Sequence, residues 1–171
     1  VFIPQACDVL GQGASGGERP IDLIGYGRRL EEVHGELQRA FGNRESGRFY
    51  YHSTFTNQEV GDWREDRQLF WQLVRRSKLA LNFPYHVTHP HLARDVSPLT
   101  ARWFEALTAG AAIVGQWPTG VEARRLLDWE DVIIDLPGVP QECPKFVKEL
   151  LGDEDRLLAI SRRNYVNALK K

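Results

Sequence analysis

The chain has 171 residues, 42% of them hydrophobic, with five Trp, eight Phe and five Tyr. That is enough for one domain with a substantial core and too much for a disordered segment. A net charge of −1 gives no electrostatic reason to expect nucleic acid as partner, and no apolar run approaches the roughly 20 residues of a membrane-spanning helix.

Residues 1–20 read as a linker or loop left from a missing N-terminal part, because the chain starts at Val1 and contains no Met. The linker holds Gly11-x-Gly13-x-x-Gly16, the spacing of a dinucleotide fingerprint. That motif needs a strand before it and a helix after it, whereas Pro20 and a strand follow here. The glycines therefore read as loop, and the domain proper spans 21–171. Ile21-Asp22-Leu23-Ile24 is a short strand that ends in Gly25-Tyr26-Gly27-Arg28-Arg29. A helix over 30–41 follows, with Leu30, Val33, Leu37 and Phe41 as its apolar stripe. A glycine turn with Arg28 and Arg29 at a helix start suits a phosphate, whose oxygens take both backbone amides and guanidinium forks. It equally suits a plain turn with solvated arginines.

Residues 48–52 form the next predicted strand. A helix is predicted over 63–76, with Leu69, Phe70, Leu73 and Val74 inward and the charges outward. The strand 78–83 stops at Pro84, with Asn82 at the end where open α/β sheets place ligand contacts. A loop over 85–96 carries His86, His89 and His91. With no Cys, Asp or Glu at ligand spacing and Pro90 between two of them, no metal is expected. His91 and Arg94 remain candidates for touching a ligand from that loop. Cys7 and Cys143 show no metal spacing either, so reduced thiols in the cytoplasm are expected.

Residues 95–116, DVSPLTARWFEALTAGAAIVGQ, combine a helix start, an amphipathic helix, a stop and a buried strand. Ser97 is the expected N-cap and Pro98 the first helical residue. Leu99, Trp103, Ala106 and Leu107 share one face at the helical period of about 3.6. Ala101, Arg102, Glu105, Thr108 and Ala109 form the other, and Gly110 ends the helix. A short helix over 121–127, a strand over 131–135, a helix over 144–151 and a last one from 152 complete the chain. Leu157, Leu158, Ile160, Tyr165 and Leu169 are its expected apolar contacts. Nothing in the pattern speaks to oligomeric state.

Short apolar strands alternating with helices give an α/β fold, a Rossmann-like three-layer sandwich with a mainly parallel sheet. Gly25–Arg29, Tyr51–Thr54, Asn82 and Ser97–Arg102 all follow C-terminal strand ends and can converge at one sheet edge.

The runs WREDRQLFWQLVRRSKLALNFP, SPLTARWFEALTAGAAIVG and VIIDLP, with a closing charged helix, resemble the C-terminal half of GT-B glycosyltransferases. The likeness is to the CgeB-like, group 1 branch, with its R-x-F-E-A-x-A-x-G core. It covers roughly residues 21–165. The resemblance implies a domain that binds a nucleotide-sugar donor without metal or other cofactor. The acceptor-binding domain and the usual catalytic base would lie in the absent N-terminal half, so the fragment alone is expected to be inactive.

By position, Glu105 matches the carboxylate that accepts from the donor ribose hydroxyls. Ser97, Pro98, Leu99 and Thr100 match the helix start facing the diphosphate, with Arg102 beside it. Arg28 or Arg29 matches the basic turn, and Tyr51, His52 and Ser53 lie where the base is held. The branch carries a second carboxylate eight positions before Glu105, where this chain has Ser97, so the sugar and the stereochemical outcome do not carry over. A different reading is an interaction module that keeps the fold without the donor site, exposing an apolar surface around Trp117 and Trp129. A third is a phosphate-binding α/β enzyme using the His86–His91 loop.

Overall fold

The computed structural model describes residues 8–14, 16–27, 29–52, 62–92 and 98–171. Cys7, Arg28, Ser53, Thr54, Arg94 and Ser97 lie outside the described residues.

Among the described residues five strands form one parallel sheet: β1 (Ile21–Gly25), β2 (Tyr50–His52), β3 (Ser77–Asn82), β4 (Ala112–Gly115) and β5 (Ile133–Asp135). Successive side chains point to opposite faces, so the sheet divides its apolar residues between two cores. Leu23, Leu79, Leu81, Val114 and Ile134 meet α2 (Glu31–Phe41) and α7 (Cys143–Gly152). Ile24, Ala80, Ile113 and Ile133 meet α3 (Trp63–Arg75), α5 (Ala101–Thr108) and α6 (Val121–Leu126). The result is the expected three-layer, Rossmann-like α/β sandwich. Helix α8 (Glu154–Ala168) belongs to both cores, with Leu157 and Ile160 in the first and Ala168 against the second.

Strand order is β2-β1-β3-β4-β5. The chain leaves β1 for β2 on one face and returns to β3 on the other. The connections therefore part between the C-terminal ends of β1 and β3, which is where doubly wound sheets open a crevice. Among the described residues no helix is long and apolar enough to cross a membrane.

Several local expectations are corrected. The helix expected from Pro98 begins at Ala101, with Thr100 extended (φ −87°, ψ 163°) as its N-cap. Leu99 is buried ahead of the helix, and the Thr100 carbonyl accepts the first helical bond from Trp103 N at 3.1 Å. In α3 Leu69 points outward and Trp71 inward, so the buried face is Phe70, Trp71 and Val74. Leu158 of α8 and Leu169 just past its end are exposed, and Ser161 and Asn164 take buried places beside Leu157 and Ile160. Asn164 earns its position: Oδ1 accepts from Trp129 Nε1 and Nδ2 donates to the Ala111 carbonyl, both at 2.9 Å.

The last strand begins at Ile133 because Asp131 turns left-handed (φ 58°) and its carboxylate receives Arg156 Nη2 at 2.9 Å. Within the segment expected as linker, α1 (Val9–Gln12) forms one helical turn capped by Asp8, which accepts from Gly11 N at 2.8 Å. The histidine loop contains α4 (Tyr85–Thr88).

Candidate functional site

The crevice between β1 and β3 is built from the chain just past each strand. After β1, Tyr26 is buried and Gly27 takes φ +67°, a conformation that side chains with a Cβ resist. Tyr26 Oη donates to the Arg102 carbonyl at 2.9 Å, and the Arg102 guanidinium lies over the Tyr26 ring, 5.6 Å from its centroid. A methyl on Gly27 would meet that guanidinium. At the end of β3, Asn82 is 1% exposed; its Nδ2 donates to the same Arg102 carbonyl at 3.4 Å, while its Oδ1 has no partner. A buried acceptor left unpaired costs about 1–3 kcal/mol, so this oxygen suits a donor brought by a ligand or water.

One helical turn beyond Arg102, Glu105 is 5% exposed, and its Oε1 accepts from Arg67 Nη2 of α3 at 2.5 Å. The Arg67 guanidinium lies over Phe70, 4.9 Å from the ring centroid, and Phe70 packs edge-on against Tyr26 at 4.6 Å. Tyr26, Phe70, Arg67 and Glu105 thus form one continuous wall from β1 to α5.

No family model, curated protein or solved structure matches this chain.

The fold brings Gly27, Asn82 and Arg102 together, with Glu105 one turn deeper and Thr100 at the helix start. Pro98 is exposed and Leu99 is part of the core. Arg29 belongs to a second cluster at the same sheet edge. There His34 Nδ1 and the Tyr50 hydroxyl share a hydrogen bond of 2.8 Å, and the His34 and His52 rings lie 4.8 Å apart. Arg29 Nε donates to Glu31 at 3.2 Å, while its Nη1 is buried without a partner, as is His52 Nδ1. Tyr51 is half-buried against the core shared by α3 and α5.

Burial, and then the Arg29 charge, hold both His34 and His52 below the ordinary histidine range; the Glu31 carboxylate opposes this at His34. Burial pushes the Tyr50 phenol up. The unfolded chain therefore binds protons at these histidines before the folded one does, and stability falls as pH drops from about 6.5 towards the folded-state values. Urea midpoints between pH 7.5 and 5 should decline more steeply for the wild type than for His52→Gln. Parallel declines would remove the cluster as the cause.

The three histidines of the predicted loop separate. His89 stacks on Tyr85 at 5.1 Å, His86 Nδ1 is buried without a partner, and His91 is exposed. No group of three or more His, Cys, Asp or Glu fit to hold a metal occurs among the described residues. Trp117 and Trp129 are half-buried against the core, with Arg124 over the Trp117 ring at 5.9 Å, rather than forming an open apolar surface.

The sequence reading missed Arg67, Tyr26, His34 and Tyr50. Arg67 carried a signal: it precedes Phe70, Trp71 and Val74 by three, four and seven residues, the spacing of one helical face. A charge in an apolar register marks a buried partner. The other three carried only burial signals, since a Tyr beside a strand end or a His on the buried face of a helix reads as ordinary packing.

Proposed function

We propose that this domain binds the nucleotide-diphosphate sugar donor of a GT-B type glycosyltransferase, and that an acceptor-binding domain completes the enzyme. The observation that carries the reading is the meeting of Gly27, Arg102 and the unpaired Asn82 Oδ1 at the switch point, with Glu105 on the next turn. Bare backbone at Gly27 allows close approach of a diphosphate, and the Arg102 guanidinium is the cation beside it. Amides of the first turn of α5 lie at the positive end of its dipole, suited to charge that builds on a leaving diphosphate. Glu105 is the acceptor for ribose hydroxyls, a role that requires Arg67 to move aside or to share the carboxylate. No metal takes part in this reading. Cys143 is a free, buried thiol, in keeping with a cytoplasmic setting.

Titrating the protein with UDP-, GDP- and ADP-sugars while following thermal unfolding tests the proposal. A donor at 100 times its Kd should stabilise by about 2.7 kcal/mol, and Glu105→Gln should weaken binding by about tenfold. If no sugar nucleotide shifts the transition, or if the substitution leaves the shift unchanged, the donor reading is wrong.

One observation favours the second reading, an interaction module without donor chemistry: Glu105 is buried and already engaged by Arg67. That module would ignore every nucleotide and show concentration-dependent mass in light scattering.

A further inference from the structure

The opposite, N-terminal edge of the sheet holds a cavity of about 280 Å³, remote from the crevice. Its wall comes from the chain before β1 (Gly16, Gly17, Arg19), the start of β3 (Lys78), the turn before β4 (Gly110) and the first turns of α8.

Three features set its chemistry. Arg19 donates through Nη1 to the Ser77 carbonyl and through Nη2 to the Ala109 carbonyl, both at 2.7 Å. Those two bonds use part of its five N–H donors, and among the described residues it has no carboxylate partner. Burial alone lowers this guanidinium to about 10, the mark of a cation whose lost hydration is only partly replaced. Ser161 is 5% exposed, and its Oγ has no hydrogen-bond partner. Gly110 adopts φ +69°, and a Cβ there would run into the Ala14 carbonyl oxygen and lie 2.9 Å from both Arg19 Nη2 and Ser161 Oγ. Guanidinium and hydroxyl therefore both border Gly110 in the wall of the cavity, where the chain packs too closely for any residue but glycine.

The other charges nearby leave the cation in place. Lys78 Nζ is paired with Asp22 at 2.9 Å, and Glu154 is exposed, where solvent screens it. Leu157 and Leu158 line the remainder with apolar surface. At about 30 Å³ per water, the space equals roughly nine waters, small for a nucleotide and sufficient for a short organic acid.

We infer that this cavity binds a small monocarboxylate, its head between Arg19 and Ser161 and its aliphatic body on Leu157 and Leu158. The site is independent of the donor reading and stands or falls apart from it.

Hexanoate, hexanamide and acetate serve as probes in amide NMR titrations of the full chain at pH 7. Hexanoate should give saturable shifts at Gly16, Gly17 and Gly110, and at least about tenfold weaker binding is expected of hexanamide, which lacks the charge, and of acetate, which lacks the body. Ser161→Ala removes a hydroxyl that makes no bond in the free protein, so folding should be unaffected while hexanoate binding weakens by about tenfold. Absence of saturation below about 10 mM, equal binding of hexanamide, equal binding of acetate, or unchanged affinity in Ser161→Ala each overturns the inference.

Discussion

Gly115→Ala should destabilise the domain by more than about 4 kcal/mol, close to the whole stability of many single domains. Gly115 has φ +154°, and a Cβ there would run into the backbone carbonyl oxygen of Asn82 on the neighbouring strand. The obstacle is backbone, so no side-chain rotation relieves it. The position is also a junction of the sheet. The Asn82 carbonyl accepts from Gln116 N at 3.3 Å, and the Gly115 carbonyl accepts from Leu136 N at 2.8 Å, joining β3, β4 and the chain after β5. Spreading β3 from β4 here also displaces Asn82 from the crevice. Circular dichroism with urea titration measures the effect. Gly138→Ala is the control, since a Cβ there meets nothing within 4 Å, and it should stay within about 0.5 kcal/mol of the wild type. A Gly115→Ala midpoint near that of the control would mean that the two strands separate cheaply.

Asn164→Leu should cost about 2–6 kcal/mol, although it keeps the branched shape of the side chain and adds apolar surface. The substitution leaves two buried groups unpaired, the Trp129 indole N–H and the Ala111 carbonyl, at about 1–3 kcal/mol each. Asn164 is fully buried between them. Trp129→Phe removes the indole donor together with its need for an acceptor. The double variant should therefore lose less than the sum of the two single ones, by about 1 kcal/mol or more. Strict additivity in urea unfolding would show that Asn164 acts through Ala111 alone.

Both results concern residues whose local surroundings gave no warning. Asn164 lies on the buried register of α8 with Leu157, Ile160 and Ser161, while Leu158 and Leu169 face outward. Counting hydrophobic residues selects the leucines. The helix instead turns a face that can satisfy a carbonyl and an indole, because unpaired polar groups inside cost more than exposed leucines outside. The candidate site shows the same limit. Gly27, Asn82 and Arg102 were readable because strand ends of a parallel sheet collect at one edge. Arg67 as the partner of Glu105 was not readable, since the two lie 38 residues apart on separate helices.

The helix start was misplaced for a related reason. Ser97-Pro98 is a good local start signal, but burial of Leu99 in the core holds the chain extended through Thr100. A core contact outweighs capping propensity, which is worth about 1 kcal/mol.

What the sequence by itself determined is the alternation of apolar strands and amphipathic helices, and hence a parallel sheet covered on both faces. Those signals are local, because strand and helix periods are imposed by backbone geometry within a few residues. Only the tertiary structure decided that Gly115 must lack a side chain, that Asn164 belongs inside, that Arg67 closes over Glu105 and that Arg19 and Ser161 face one cavity. Each depends on surfaces from distant parts of the chain meeting at ångström range. Hydrogen bonds and steric contacts act only at that range, so no local pattern records them.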